Sequence, residues 1–172
     1  WKKKEKKLNL RPGQYSAAHC RVRHPKGVEY GIKIKTVNET INNTADKYGL
    51  AWHNNEEGRK YALSDAVRAL SCITNRQQPV YFFADSSDLV NFVGRKESYE
   101  PATDEEREMR QQFDQFSIVT RDMKLENVHI DKQKGRDVPA YYGTFLDLYL
   151  AIQAQCIIYG IGKYAYFAAK IS

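Results

Sequence analysis

The sequence predicts an α/β domain built on a mainly parallel sheet, and three observations carry that expectation. Short apolar runs recur at Gln14 to Val22, Val80 to Ala84, Ser117 to Thr120 and Cys156 to Tyr159. Segments with apolar residues at helical spacing lie between these runs and after the last of them. The run Val80-Tyr81-Phe82-Phe83-Ala84 is apolar without alternation, the mark of a strand covered on both faces.

In chain order, residues 1–13 read as a basic tail or linker and 14–172 as one domain. Pro12-Gly13 punctuates the start of the first strand, Gln14 to Val22. Gly31 to Lys35 alternates Ile with Lys, as a short edge strand would. The polar, Asn-rich stretch at about 36–60 reads as an irregular insertion, tacked to the body by Tyr48, Leu50 and Trp52. Ser64 then caps a helix with Ala66, Val67, Leu70 and Ile73 on one side, ended by Asn75 to Pro79. After the strand Val80 to Ala84, Ser86 or Ser87 can cap a helix through Leu89, Val90, Phe92 and Val93. Thr103 and Glu106 are spaced as a capping box, for a helix with Met109, Phe113 and Phe116 on its apolar side. Ser117 to Thr120 and Val128 to Ile130 are the next strand candidates, and Lys132 to Val138 is a charged loop. Gly143-Thr144-Phe145 opens a largely buried helix with Leu146, Leu148, Tyr149, Ile152 and Ala154. Its one acid, Asp147, is expected to be paired or at the surface, in a structural role. Cys156 to Tyr159 is a further apolar strand, and Gly160-Ile161-Gly162 turns it into a helix over Tyr164 to Ile171.

Composition bounds the function classes. With 42% hydrophobic and 28% charged residues the chain is not a disordered one. Of the net charge of +6, five lysines against one glutamate at Lys2 to Lys7 supply +4, leaving about +2 for the body. Nucleic-acid binding is therefore not expected, because it needs a basic face on the fold. The chain starts at Trp1, which reads as a fragment or a processed product, and no run is apolar and long enough to span a bilayer. Cys20, Cys72 and Cys156 lie in apolar patterns without CxxC spacing, so each is expected to pack as a small hydrophobe and no zinc site is expected. The sequons at Asn38 and Asn42 hint at a secretory compartment.

Three clusters fall at strand C-termini, where open α/β sheets gather ligand-contacting groups. Alternation along Tyr15 to His24 puts His19, Arg21 and Arg23 on one side, an arrangement suited to a pyrophosphate. A strand end solvated by charge accounts for the same spacing equally well. Asp85 with Ser86 and Ser87 follows the second strand, where a simple helix cap is the commoner reason for such a triplet. Gly160-Ile161-Gly162 leads into a helix N-terminus whose free N–H groups favour phosphate. Together a cation pair, an acid and a glycine turn are what a nucleoside diphosphate requires. His129 reads as a core histidine. His24 and His53 could each serve as a base, and nothing in the sequence favours either.

The order of these motifs resembles the C-terminal half of GDP-fucose-dependent fucosyltransferases, the inverting GT-B group with α1,6- and protein O-fucosyltransferases. The resemblance rests on Tyr15-Ser-Ala-Ala-His-Cys-Arg21, similar to the family's strand ending in His-x-Arg. Val80 to Asp85 is like its second motif, and Thr144 to Leu150 with Cys156 to Gly160 is like its last helix and strand. It covers most of 14–172, without the 36–60 region. It implies a Rossmann-like domain, one half of a GT-B enzyme, that binds the donor GDP-fucose without a metal or other cofactor.

By the resemblance His19 and Arg21 contact the diphosphate, Asp85 binds guanine, and Gly160, Gly162, Lys163 and Tyr164 hold phosphate. Arg23 and Ser86 join this candidate set from their positions beside it. Arg21, helped by His19, would carry the catalytic role of stabilising the leaving GDP. The implied reaction is inverting transfer of fucose to a glycan or glycoprotein hydroxyl, in the Golgi or ER lumen. The acceptor half, and any membrane anchor, would lie in a segment absent from this chain. Two departures stand out: Val22-Arg23-His24-Pro25 replaces the family's usual acidic tail after His-x-Arg, and Lys163 and Tyr164 stand where it carries two Ser. They favour the rival expectation, a non-catalytic α/β binding or interaction domain derived from such an enzyme.

Overall fold

The computed structural model describes residues 8–22, 56–95, 100–121, 137–160 and 163–172. The expected strands at Gly31 to Lys35 and Val128 to Ile130, the basic tail at 1–7 and positions 36–55 of the expected insertion lie outside these residues. So do His24, His53 and His129. Elements follow in the order β1 (Ser16–Cys20), α1 (Glu56–Ser71), β2 (Val80–Ala84), α2 (Ser87–Val93), α3 (Asp104–Phe113) and β3 (Ile118–Val119). A 3-10 turn (Val138–Tyr141) then leads into α4 (Tyr142–Ile152), β4 (Cys156–Tyr159) and α5 (Lys163–Ile171).

The four strands form one parallel sheet in the order β3-β2-β1-β4. Ser16 lies opposite both Val80 and Cys156, and Val80 lies opposite Ile118, which sets every register. The expected α/β, Rossmann-like class is what the chain adopts. Alternation along the inner strands splits the core in two. Ala18, Cys20, Val22, Val80, Phe82 and Ala84 face α1, α2 and α3, with Ala62, Leu70, Leu89 and Phe113 among the partners. Tyr15, Ala17, Tyr81 and Phe83 face the other way, against Leu146, Leu150 and Ala151 of α4 and Ala168 of α5. Both inner strands are buried along their whole length, which is why neither alternates polar with apolar residues.

Local chemistry fixes the helix starts. Ser86 caps α2 by accepting from Leu89 N at 3.3 Å. Thr103 caps α3 by accepting from Glu106 N at 3.2 Å, and the Glu106 carboxylate accepts in return from Ala102 N at 2.7 Å. That return bond lands one residue before the position a capping box uses. Glu106 is buried, and Arg59 of α1 sits 3.0 Å from it, close enough for an ion pair without hydrogen-bond alignment.

Several expectations are corrected here. The last part of the expected insertion, from Glu56, is the first turn of α1, and Ser64 lies exposed in the middle of that helix instead of capping it. The polar start Glu56-Glu57-Gly58-Arg59-Lys60 hides the helix from an apolar-periodicity reading. Among the described residues β4 is an edge strand, with Cys156 and Tyr159 exposed. Cys72 is exposed as well, so only Cys20 packs as a small core residue. Phe145 is 46% exposed, since α4 buries one face only.

Candidate functional site

In an open parallel sheet the ligand crevice lies beyond the strand C-termini, where successive connections leave in opposite directions. Here that point falls between β1 and β4. The chain leaves β1 toward β2 and β3, then returns through α4 to β4 on the other side of β1. Arg21 follows β1 and Gly160 follows β4, so the first and third sequence clusters flank one crevice.

His19, paired across the two strands with Tyr159, is 6% exposed. Its ring centroid lies 4.9 Å from Phe83 and 6.0 Å from Tyr164, so aromatic side chains surround the imidazole. Arg21 is partly exposed, and its Nε is buried without a hydrogen-bond partner among the described residues. A guanidinium in that state retains donors for an anion. Gly160 is exposed; a Cβ there would meet nothing within 4 Å, and its φ does not require glycine. Lys163 opens α5, but its side chain, like Arg23 and Gly162, lies outside the described residues.

Asp85 lies at the end of β2, on the far side of β1 from β4. Val22 N donates to its Oδ1 at 2.7 Å, and Asp85 N donates to Cys20 O at 3.4 Å. The acid thereby ties the chain leaving β1 to the end of β2. It also adds to the forces that push the Cys20 thiol well up, after desolvation and the Asp65 carboxylate that accepts its hydrogen bond. Ser86, 4% exposed, spends its hydroxyl oxygen on the α2 cap. Tyr164 donates its hydroxyl to the Thr144 carbonyl of α4. Burial first, and Asp147 second, drive its phenol far above the ordinary range.

A second polar cluster lies on the α4 side of the sheet. Asp147 Oδ1 accepts from Tyr81 OH at 2.6 Å and from Arg121 Nε at 2.9 Å, all three residues being buried. The expectation that Asp147 is paired holds. Desolvation outweighs both partners and raises its carboxyl to about 6. Tyr81 and Arg121 were not singled out from sequence. The available signal was a tyrosine inside a fully apolar strand, whose hydroxyl must find a buried partner. Gly143 completes the cluster: a Cβ there would lie 3.0 Å from both Cζ and Nη1 of Arg121.

The arrangement can receive an anion between β1 and β4, with Arg21 as the cation and the start of α5 alongside. Among the described residues no group of His, Cys, Asp and Glu could hold a metal, and no helix is long and apolar enough to cross a membrane. No family model, curated protein or solved structure matches this chain.

Proposed function

We propose that this chain is the nucleotide-sugar-binding domain of a fucosyltransferase-like glycosyltransferase, with GDP-fucose as donor and a glycan or protein hydroxyl as acceptor. The observation that carries this reading is the switch point between β1 and β4, with Arg21 on one side and Gly160 and α5 on the other. A diphosphate there would lie against a guanidinium and helix N–H groups, which favour charge developing on the departing GDP. Asp85, at the end of β2 next to β1, would take the base under this reading, with one oxygen already accepting from Val22 N. The test is calorimetric titration of GDP, with UDP and ADP as controls and no added metal. Selective GDP binding is expected, weakened about 10- to 100-fold in Arg21→Ala, as for loss of a charge-assisted hydrogen bond. Equal affinity for the three nucleotides, or undiminished GDP binding in Arg21→Ala, would sink the reading.

One observation favours a second reading, a binding or interaction domain that retains the fold without the transferase. The polar atoms of Ser86 and Tyr164 already serve the fold, and His19 is enclosed by aromatic rings. Under that reading the same titration detects no nucleotide.

A further inference from the structure

Three tyrosine hydroxyls hold α4 in place. Tyr15 of the loop before β1 donates to Leu150 O at 2.5 Å, Tyr81 of β2 donates to Asp147, and Tyr164 of α5 donates to Thr144 O. The first two are completely buried and belong to the packed face of the sheet. The third stands at the crevice end. Tyr164 is the second residue of α5, yet its ring reaches back over β1 to within 6.0 Å of the His19 ring and 6.4 Å of Phe83 on β2. His19 is 6% exposed although it is the last residue but one of β1, at the open end of a parallel strand.

We infer that Tyr164 is a positioning residue, a latch from α5 to α4 that closes over His19, and not itself a contact to phosphate. Its ring supplies the outer wall of the imidazole site, and its hydroxyl, held by a helix carbonyl, keeps that wall in place. A ligand that touches His19 from the crevice must therefore shift Tyr164 or pass beside it. This rests on the nucleotide reading only for the identity of that ligand; the latch itself is a property of the ligand-free chain.

The test is the rate at which diethyl pyrocarbonate modifies each of the chain's four histidines, followed by mass spectrometry of a digest. Tyr164→Phe removes the hydroxyl and retains the ring, so His19 modification should rise about fivefold, the size of one net hydrogen bond. Tyr164→Ala removes the wall and should raise it further. Urea unfolding of each variant reports global loosening: if the His19 rate rises only in proportion to a lost overall stability, or if His19 does not respond in either variant, the latch is overturned. Repeating the wild-type reaction with saturating GDP separates the two readings. A His19 rate unchanged by GDP counts against the nucleotide site, while the ligand-free rates still decide the latch.

Discussion

At the scale of single residues the buried cluster around Asp147 gives the sharpest consequences. Gly143 is the second residue of α4, where alanine would improve helix propensity by up to about 1 kcal/mol. The space that alanine needs is taken by the Arg121 guanidinium, which is 4% exposed at its side chain and bound to Asp147. It has little room to retreat. Gly143→Ala should therefore lower stability by about 1–3 kcal/mol, the usual range for overpacking, as read from the urea midpoint. The same change made in an Arg121→Ala background should be neutral or stabilising. If the two changes are additive, the clash is not the reason for the glycine. Nothing in the sequence identified this relation, because Arg121 and Gly143 lie 22 positions apart and an isolated glycine at a helix start has many causes. The pairing of Asp147 was legible, since an acid on an otherwise apolar helix must find a counter-charge or reach water. Which cation it found was not.

Among the elements, α3 shows how capping and cross-helix contacts divide the work. Thr103 supplies one cap bond, whereas Glu106 both accepts from Ala102 N and faces Arg59 of α1. Thr103→Ala should cost about 1 kcal/mol, as for a lost N-cap. Glu106→Ala should cost about 1–3 kcal/mol, because it removes a buried carboxylate that both accepts from Ala102 N and faces the half-buried guanidinium of Arg59. Lys60 and Glu105 link the same two helices at 2.7 Å, but both side chains are more than half exposed. Removing either should change stability by less than about 0.5 kcal/mol. Thermal or urea unfolding of the four variants orders them, and a Glu105 or Lys60 effect as large as that of Glu106 would contradict the account. The Thr103/Glu106 spacing was legible as a capping box, and Val80 to Ala84 as an inner strand, because each follows from local pattern alone. The start of α1 was not, since its first turn carries no apolar residue before Tyr61. Nor was the edge position of β4: Cys156 to Tyr159 is as apolar as an inner strand, and only the chain's return past β1 puts it outside.

For the whole molecule, the unequal use of the two sheet faces leads to a pH dependence. The apolar core of the α1–α3 side is aliphatic and phenyl apart from the Cys20 thiol, with Glu106 and Arg59 meeting between α3 and α1, while the α4–α5 side carries Tyr81, Arg121, Asp147 and Tyr164 within its packing. Asp147 is the member of that group that titrates near neutrality, at about 6 against 3.8 for an unhindered carboxyl, because burial outweighs Arg121 and Tyr81. The folded chain therefore binds this proton more tightly than the unfolded chain does. A raised pKa contributes stability that is fully present below pH 3.8 and is lost as pH rises through about 6. The span corresponds to about 3 kcal/mol from this one group. Every titratable group of the chain contributes to the total pH dependence, so the effect of this one must be read as a difference. Asp147→Asn retains Oδ1, the atom that takes both hydrogen bonds, and removes the titration. Urea unfolding of both proteins from pH 4 to pH 7 should show the wild type losing up to about 3 kcal/mol relative to the variant. A difference that stays flat would mean that Arg121 fully offsets the burial of the carboxylate, and that the α4 side of the sheet is held as firmly at pH 7 as at pH 4.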